Sequence, residues 1–292
     1  MCVLAEDVVE ERAVVPVSPT ASMNRVLLET QRAFDGVAAD YDRSNAANRT
    51  LCAMRQRAWE AVDAFVPRGS HILDLGCGPG CDDEHLARQG YRVTAIDWSP
   101  AMVAAARVRV RAAGVAHRVD VLHVGIHEID RLAPIDVQFD AAYSSFGPLN
   151  CVADPAAAAR LIARRLRPGG VLIASVMGRV CPWEIALYLA KGRWSRAAVR
   201  FRRGLVPVPL EGGRVWTRYY TPGEFERMFA PAGFTRVALR ALGLFGPPPY
   251  LQAFAERHPR TVAALERLDD RAGAWPAVRA WGDHFLIVLR KA

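Results

Sequence analysis

Apolar positions recur with two different periods along the chain. Before Gly69 the spacing is helical and predicts helices over Arg25–Tyr41 and Leu51–Phe65. After Gly69, short runs rich in β-branched residues alternate with segments of helical period. The runs predict strands at His71–Leu75, Tyr91–Ile96, Arg118–Val124, Phe139–Tyr143, Gly170–Val176, Phe234–Leu242 and His284–Arg290. The segments between the first five predict helices at Asp82–Arg88, Pro100–Ala113 and Pro155–Leu166, and a short one near Glu128–Leu132. This alternation is typical of the α/β class and predicts a doubly wound, mostly parallel sheet of seven strands.

The start of the chain and two long connections lie outside this alternation. Residues 1–23 combine acidic residues and prolines, and we predict a flexible tail there, followed by a single domain over residues 24–292. Two connections, at about 179–220 and 244–281, are too long to be simple loops. Ligands of open parallel sheets bind beyond the carboxyl ends of the strands. We therefore expect both insertions to form a helical cover over a substrate.

Composition favours a globular chain in a reducing compartment. Hydrophobic residues make up 51% of the 292 positions and charged residues 23%, which suits a large buried core. The longest apolar stretches, such as Val171–Met177, are far shorter than the ~20 residues of a bilayer span, so no transmembrane segment is expected. Six cysteines without a C-x-x-C pair or metal-finger spacing favour reduced thiols. We expect a cytoplasmic protein.

The net charge of +8 comes almost wholly from arginine, since Lys191 and Lys291 are the only lysines. Most arginines are scattered, which argues against a nucleic-acid-binding surface. One basic cluster stands apart, from Lys191 to Arg203, with six basic residues and no acid. It predicts either a solvated helix face or a contact with an acidic carrier protein, an anionic substrate or a membrane surface.

The first predicted strand runs into a glycine turn, Gly76-Cys77-Gly78-Pro79-Gly80. Glycines let the backbone approach a ligand where a Cβ would clash. The second strand ends in Asp97, a carboxylate placed to accept hydrogen bonds from ribose hydroxyls. This spacing predicts a nucleoside ligand.

The charge around the glycine turn distinguishes between a dinucleotide and a nucleoside ligand with cationic groups. Asp82, Asp83 and Glu84 occupy the first turn of the next helix, where they would repel the pyrophosphate of a dinucleotide. The turn also lacks the Gly-x-Gly-x-x-Gly spacing of dinucleotide-binding proteins, so a dehydrogenase is disfavoured. Asp74 adds a further acid just before the turn. A ligand with an ammonium and a sulfonium group fits this environment better.

At these residues the chain resembles the class I S-adenosylmethionine-dependent methyltransferases, in the branch of small-molecule and quinone-type enzymes. The resemblance covers about Phe34–Leu242 and is most specific over His71–Met102; Phe34–Asp42 is similar to the segment that folds over the cofactor, and Arg165–Gly170 to the turn before strand five. It implies a Rossmann-like fold and S-adenosylmethionine as the cofactor. The implied cofactor-binding residues are Tyr41, Asp74, Gly76, Cys77, Gly78, Gly80, Asp97, Trp98, Met102, Ile126, His127 and Ser144.

The sequence departs from the family's pattern at two places. The family commonly has Gly-Asp after strand three, but the matching place here reads Gly125-Ile126-His127-Glu128, so the adenine contact passes to Ile126 and His127. After strand four the chain reads Ser144-Ser145-Phe146-Gly147-Pro148-Leu149-Asn150, which lacks the Asn/Asp-Pro-Pro-aromatic motif of enzymes that methylate base or amide nitrogens.

The candidates for the substrate pocket are polar and aromatic residues near the expected cover: Ser145, Asn150, Trp216, Tyr219 and Tyr220. We expect one of the two adjacent tyrosines to pack in the core. His284 is the candidate catalytic residue, provided that geometry lets Asp283 orient it. His123 and His127 lack the spacing of a metal-binding helix, so no metal is expected.

The function predicted from the sequence is methyl transfer to the oxygen, nitrogen or carbon of a small molecule by in-line displacement. One alternative is an RNA methyltransferase, favoured by the basic charge but not by the motif after strand four. A second alternative is a non-catalytic nucleoside-binding protein, with only the Ile126 departure in its favour.

Overall fold

The computed structural model describes residues 19–46, 48–132, 137–211 and 213–292, with the backbone alone for residues 19–23, 42–44 and 46. Nine strands lie in two sheets. The strands are β1 His71–Leu75, β2 Arg92–Asp97, β3 Val119–His123, β4 Phe139–Ser144, β5 Leu166–Met177, β6 Val206–Leu210, β7 Gly213–Thr217, β8 Phe234–Leu242 and β9 His284–Lys291. The helices are α1 Pro19–Ala46, α2 Arg49–Phe65, α3 Cys81–Arg88, α4 Pro100–Ala112, α5 Pro155–Arg165, α6 Pro182–Ala190, α7 Trp194–Ala197, α8 Pro222–Phe229, α9 Gln252–Arg257 and α10 Pro259–Ala272.

The large sheet has seven strands in the order β3-β2-β1-β4-β5-β9-β8. The first five strands of this order run parallel, and β9 runs antiparallel to both of its neighbours. The predicted doubly wound, mostly parallel seven-stranded sheet is therefore confirmed. The chain turns from β1 toward β2 on one side and later to β4 on the other, so the carboxyl end of β1 is the topological switch point.

Apolar side chains cover both faces of this sheet, which explains why the central strands read as continuous apolar runs. On one face, residues such as Leu73 pack with α5 and α8. On the other face, residues such as Ile72 pack with α2, α3 and α4. Because neighbouring residues of a strand point to opposite faces, Ile72 and Leu73 anchor different layers of one three-layer core.

The first insertion differs in part from the predicted helical cover. It holds α6 and α7, but it also holds an antiparallel hairpin formed by β6 and β7. The hairpin packs on α1, which begins at Pro19, so the last five residues of the predicted tail belong to this helix. Residues 1–18 of that tail lie outside the described residues. The second insertion is helical, with α9 and α10.

The described helices are too short or too polar for a bilayer span. None of them combines the length and the apolar character that crossing a membrane takes.

Candidate active site

A cavity of about 460 Å³ opens at the carboxyl ends of β1, β2 and β4. Its size is within the range of small-ligand sites. The glycine turn and Asp97 line one end. α1 and the β6–β7 hairpin line a second side, and both insertions line the far end through residues such as Glu184 and Tyr250. The predicted glycine turn and the predicted cover thus face the same space.

Asp97 and Gly78 form the floor of the first end. The carboxylate of Asp97 accepts a hydrogen bond from the Gly78 backbone N–H at 2.9 Å and another from the Ser99 N–H at 2.8 Å, one on each oxygen. Burial raises the pKa of Asp97, although these two hydrogen bonds oppose the rise. Each oxygen keeps lone pairs that can accept hydrogen bonds from a ribose diol.

Gly78 leaves room for a ligand at the turn. Its φ is +55°, and a Cβ on this residue would meet no atom within 4 Å. A side chain here would project into open space beside the cavity, which Gly78 also lines. The turn is therefore a cradle that a cofactor can fill, with Asp97 beneath it.

Trp98, Ile126, His127 and Met102, which were predicted to bind the cofactor, line the cavity together with Asp97. The rings of Trp98 and His127 meet edge to face, with centroids 4.7 Å apart. Gln31 of α1 donates a hydrogen bond from Nε2 to the Trp98 carbonyl oxygen at 2.7 Å. The Trp98 and His127 rings thus form one wall of the cavity, and the Gln31 hydrogen bond attaches α1 to this wall. Tyr41, at the other end of α1, also lines the cavity.

Four of the predicted cofactor-binding residues do not line the cavity: Asp74, Cys77, Gly80 and Ser144. Cys77 packs in the core with α2 and α4, and Gly80 lies against Ala106 of α4. Ser144 donates its hydroxyl to the carbonyl oxygen of Leu75 at 3.2 Å. These residues build the walls behind the turn.

Asp74 is the most informative of the four. It is 1% exposed and lies against Asp83 of α3, which is fully buried. Burial is the main reason why the pKa of Asp74 is well above its usual value and why that of Asp83 is raised to about 7. The pair therefore holds a proton near neutral pH instead of presenting two negative charges.

Asp82 is also compensated, by Arg55 at 3.1 Å and by the indole N–H of Trp59 at 2.8 Å. The predicted attraction of a cationic ligand by bare acids in this helix turn is thus weaker than the sequence suggests. Arg55 itself lines the cavity, and its guanidinium carbon lies 5.0 Å from the centre of the Phe146 ring. Arg55 thus brings a guanidinium, already paired with Asp82, to the wall of the cavity.

Phe146 lies between the two ends of the cavity in an uncommon backbone conformation. Its φ is +58°, in the left-handed region, and its N–H donates to the Ser175 hydroxyl at 2.6 Å. Backbone strain of this kind concentrates at functional sites. The turn aims the Phe146 ring toward His284, with centroids 6.1 Å apart.

Of the predicted pocket residues, Ser145 and Tyr219 line the cavity and Asn150, Trp216 and Tyr220 do not. Asn150 has a structural role instead. Its side-chain amide donates hydrogen bonds to the carbonyl oxygens of Met177 and Arg218 and so connects these two segments. Trp216 donates its indole N–H to Glu29 of α1 at 2.8 Å. Tyr220 packs in the core with Phe225, as expected for one of the two tyrosines.

The far end of the cavity contains a buried ionic network. Arg200 donates to Glu184 at 2.7 Å and to Asp283 at 2.6 Å. The other oxygen of Asp283 lies 2.9 Å from Nδ1 of His284, so the orientation that the sequence left conditional is present. Burial would raise the pKa of Asp283, but Arg200 and His284 outweigh it and lower the pKa. Asp283 is therefore ionised.

Arg200 also changes the interpretation of the basic cluster. It is 6% exposed, and Arg196 lines the cavity, so these two arginines are not part of a solvated face. Within the described residues, Cys181, Glu184 and Asp283 are close enough together for a metal site. The Arg200 guanidinium already pairs with both carboxylates and lies where a metal ion would have to bind, so this donor set suits a cation poorly.

Sequence reasoning missed Arg55, Glu184 and Tyr250, each of which lines the cavity. No local motif marks them, because each comes from a different helix or insertion and only the fold brings them together. The sequence did mark Arg200 as part of a basic cluster that follows an apolar run. It could not show that the partners of Arg200 are carboxylates 16 and 83 residues away.

Comparison with known proteins finds methyltransferases among the relatives of this chain. Residues 72–170 match the methyltransferase domain family. A ubiquinone biosynthesis O-methyltransferase of Xanthomonas axonopodis pv. citri is 37% identical over 137 residues, which are 47% of this chain and 55% of that protein. The chain spans about half the length of the curated relatives it matches.

Two solved structures show the same fold at low identity. The 1,6-didemethyltoxoflavin-N1-methyltransferase of Burkholderia thailandensis matches with a TM-score of 0.58 at 18% identity, over 96% of this chain and 93% of that one. The cyclase SpnF matches with a TM-score of 0.52 at 21% identity, over 81% and 80%.

The sheet order and the matched domain define the class I S-adenosylmethionine-dependent methyltransferases. The match over residues 72–170 and the curated relatives confirm the resemblance inferred from the sequence. S-adenosylmethionine is the cofactor of the family, and the Gly78 cradle above Asp97 fits its nucleoside.

Proposed function

We propose that the protein transfers the methyl group of S-adenosylmethionine to a small-molecule acceptor. The observation that carries the proposal is a continuous cavity that joins the Asp97 end to a second end containing Tyr219 and His284. A donor held at Asp97 would thus lie next to space for an acceptor. The two insertions form the walls of that space, as expected of a cover.

The chain's contribution to such a transfer is alignment and exclusion of water. S-adenosylmethionine supplies, when bound, a methyl group on a positively charged sulfur. Asp97 would hold the ribose, and Arg55, which is paired with Asp82, lines the cavity beside it. The Phe146 turn separates the two ends and would set the approach of the acceptor. Orientation of this kind supplies roughly 7 to 11 kcal/mol of a reaction barrier.

The alternatives are less well supported. An RNA methyltransferase would use an exposed basic surface, yet Arg200 is buried in an ion-pair network and Arg196 faces the cavity. The cyclase SpnF shares the fold, so the fold alone does not distinguish transfer from cyclisation. A non-catalytic nucleoside-binding protein would have no need of the polar network at the far end.

We also infer a cytoplasmic location from the cysteine spacing, and a single domain over residues 24–292. The exposed basic residues that remain near α7, such as Arg193 and Arg202, keep open a contact with an acidic carrier or a membrane surface. The relatives' O- and N-methyltransferase names differ in the acceptor atom, so they leave the acceptor of this chain to experiment.

Titration calorimetry of the purified protein tests the proposal. S-adenosylmethionine and S-adenosylhomocysteine are expected to bind with micromolar dissociation constants, and NAD, as a control, is expected not to bind. Binding of NAD with silence of the first two ligands would overturn the proposed cofactor and the proposed function with it.

A further inference from the structure

His284 presents an unused hydrogen-bond acceptor to the cavity. Its ring is 7% exposed and lines the cavity, and Nδ1 lies 2.9 Å from Asp283. Within the described part of the chain, the other ring nitrogen, Nε2, makes no hydrogen bond. Because Asp283 is ionised and only accepts, Nδ1 carries the proton, and in the neutral imidazole Nε2 is then the nitrogen with the lone pair.

The network behind Asp283 fixes this arrangement. Arg200 occupies one oxygen of Asp283 and leaves the other for His284. Arg200 also donates to the backbone carbonyl of Asp283 at 3.0 Å, so the residue is held by main chain and side chain together. A histidine oriented by a buried carboxylate is the arrangement of a general base.

The charges are also balanced for a proton on His284. Arg200, Glu184 and Asp283 together carry one net negative charge, which an imidazolium would neutralise. The other titratable groups around the network are Tyr219, whose ring lies over Arg200, and Tyr250, whose hydroxyl donates to Glu184 at 3.3 Å. Cys181 and Tyr188 complete the set on the α6 side.

We propose that the Asp283–His284 pair is the general base of the methyl transfer and that the acceptor is a phenolic or enolic hydroxyl group. The inference rests on the proposed function and names its substrate class. A neutral amine already has the lone pair it needs and gains little from a base. A hydroxyl gains most when its pKa is within a few units of imidazole, as for a phenol at about 10 against about 6.5.

The aromatic lining favours a ring as the body of this acceptor. Phe146, Tyr219 and Tyr250 all line the cavity and each contacts a member of the network. Flat rings pack well against such faces and edges. An acceptor whose ring packs there can place its hydroxyl at Nε2 of His284.

The step balances without a further reactant. Nε2 takes the hydroxyl proton while a lone pair of the acceptor oxygen forms the new bond to the methyl carbon. The carbon–sulfur bond breaks, and its electron pair stays on sulfur, which becomes neutral. The imidazolium, held against Asp283, then releases its proton to solvent.

The first test needs no acceptor. Long-range proton–nitrogen NMR spectra of the 15N-labelled protein with S-adenosylhomocysteine would report the protonation of each His284 nitrogen, with assignment by His284→Gln. The proposal expects a protonated Nδ1 and a bare Nε2 at pH 7.5, and a changed tautomer ratio in Asp283→Asn. A protonated Nε2 in the wild-type protein would overturn it.

The second test measures turnover on matched rings. Each pair differs only in the acceptor group: 1-naphthol with 1-naphthylamine, and 2-naphthol with 2-naphthylamine. The proposal expects methylation of hydroxyl members only. His284→Gln should lower kcat by roughly 100-fold or more, with recovery at high pH where the acceptor ionises unaided. His117→Gln, at an exposed histidine, is the control.

The outcomes separate this inference from the proposed function. Equal turnover of the amines, no methylation of any hydroxyl member, or unchanged kcat in His284→Gln would overturn the assignment of base and acceptor. S-adenosylmethionine affinity within about twofold of wild type in that variant shows that the cofactor end is intact. Failure of the wild-type protein to bind S-adenosylmethionine would instead overturn the proposed function.

Discussion

Asp97 is the residue on which cofactor binding is expected to depend most. Replacement by Ala removes the carboxylate that would bind the ribose and also frees the Gly78 and Ser99 amides that it holds. We expect the dissociation constant for S-adenosylmethionine to rise at least tenfold, which corresponds to about 1.4 kcal/mol. Calorimetry measures it, with Asp120→Ala, an exposed aspartate on β3, as the control. Equal affinity in both variants would refute the ribose assignment.

At the residue scale, the spacing of motif residues correctly predicted those cavity residues that lie close together in the sequence. Gly78 and Asp97 line the cavity because each lies at the carboxyl end of a strand, and neighbouring parallel strands bring these ends together. Asp74 and Asn150 were predicted to contact ligands but face inward. The direction of a side chain at a strand end depends on the helices packed behind it, and no spacing rule contains that information.

At the scale of elements, α1 is held over the cavity by the β6–β7 hairpin. Gly213 of β7 lies so close to α1 that an added Cβ would come within 2.8 Å of the Ala33 Cβ. Gly213→Ala should therefore push α1 away, speed hydrogen exchange of its amides and weaken S-adenosylmethionine binding.

Gly36 of α1 provides a matched control with the opposite sign. A Cβ there would meet no atom within 4 Å, and alanine favours a helix by roughly 0.5 to 1 kcal/mol over glycine. Gly36→Ala should slow hydrogen exchange in α1. Exchange that is equally fast in both variants would show that the hairpin does not restrain the helix.

The hairpin itself was not predicted, and the reason is chemical. Val206-Pro207-Val208-Pro209-Leu210 alternates like a strand, but proline cannot donate to a ladder and argues against one. Among the described strands, β6 pairs with β7 alone, so its other edge is one where proline is tolerated. By contrast, β1 and α3 were predicted to within a residue, because their apolar periods are strong and local.

Arg200 joins α6 to the start of β9, and its loss should be costly. Arg200→Met would leave Glu184 and Asp283 buried without their cation, which destabilises proteins by about 3 to 5 kcal/mol. Urea denaturation at pH 7.5 measures the loss. Arg202→Met, at an exposed neighbour, should stay within about 0.5 kcal/mol of wild type. Similar values for the two variants would contradict a stabilising network.

At the scale of the whole molecule, the Asp74–Asp83 pair links stability to pH. Both carboxyls have a higher pKa in the folded protein than in the unfolded chain, so the folded state binds protons more tightly. Their contribution to stability is present at low pH and is lost as pH rises through about 7 for Asp83. Stability should therefore fall between pH 6 and pH 8.

Asp83→Asn tests this linkage because asparagine keeps the shape without the charge. Its free energy of unfolding should fall less between pH 6 and pH 8 than that of the wild-type protein. Asp120→Asn should keep the wild-type slope. An identical slope in Asp83→Asn would show that the pair does not titrate in this window.

The Arg200 network also constrains how the acceptor end can be exchanged between relatives. Its carboxylates lie 16 and 83 residues from the guanidinium, one within the first insertion and one at the start of β9. A chimera that takes the insertion from another protein but keeps this β9 would lose Arg200. Asp283 would then be buried without its cation. Chimera libraries that exchange the insertions to change acceptor preference should therefore exchange residues 179–220 together with Asp283 and His284 at the start of β9.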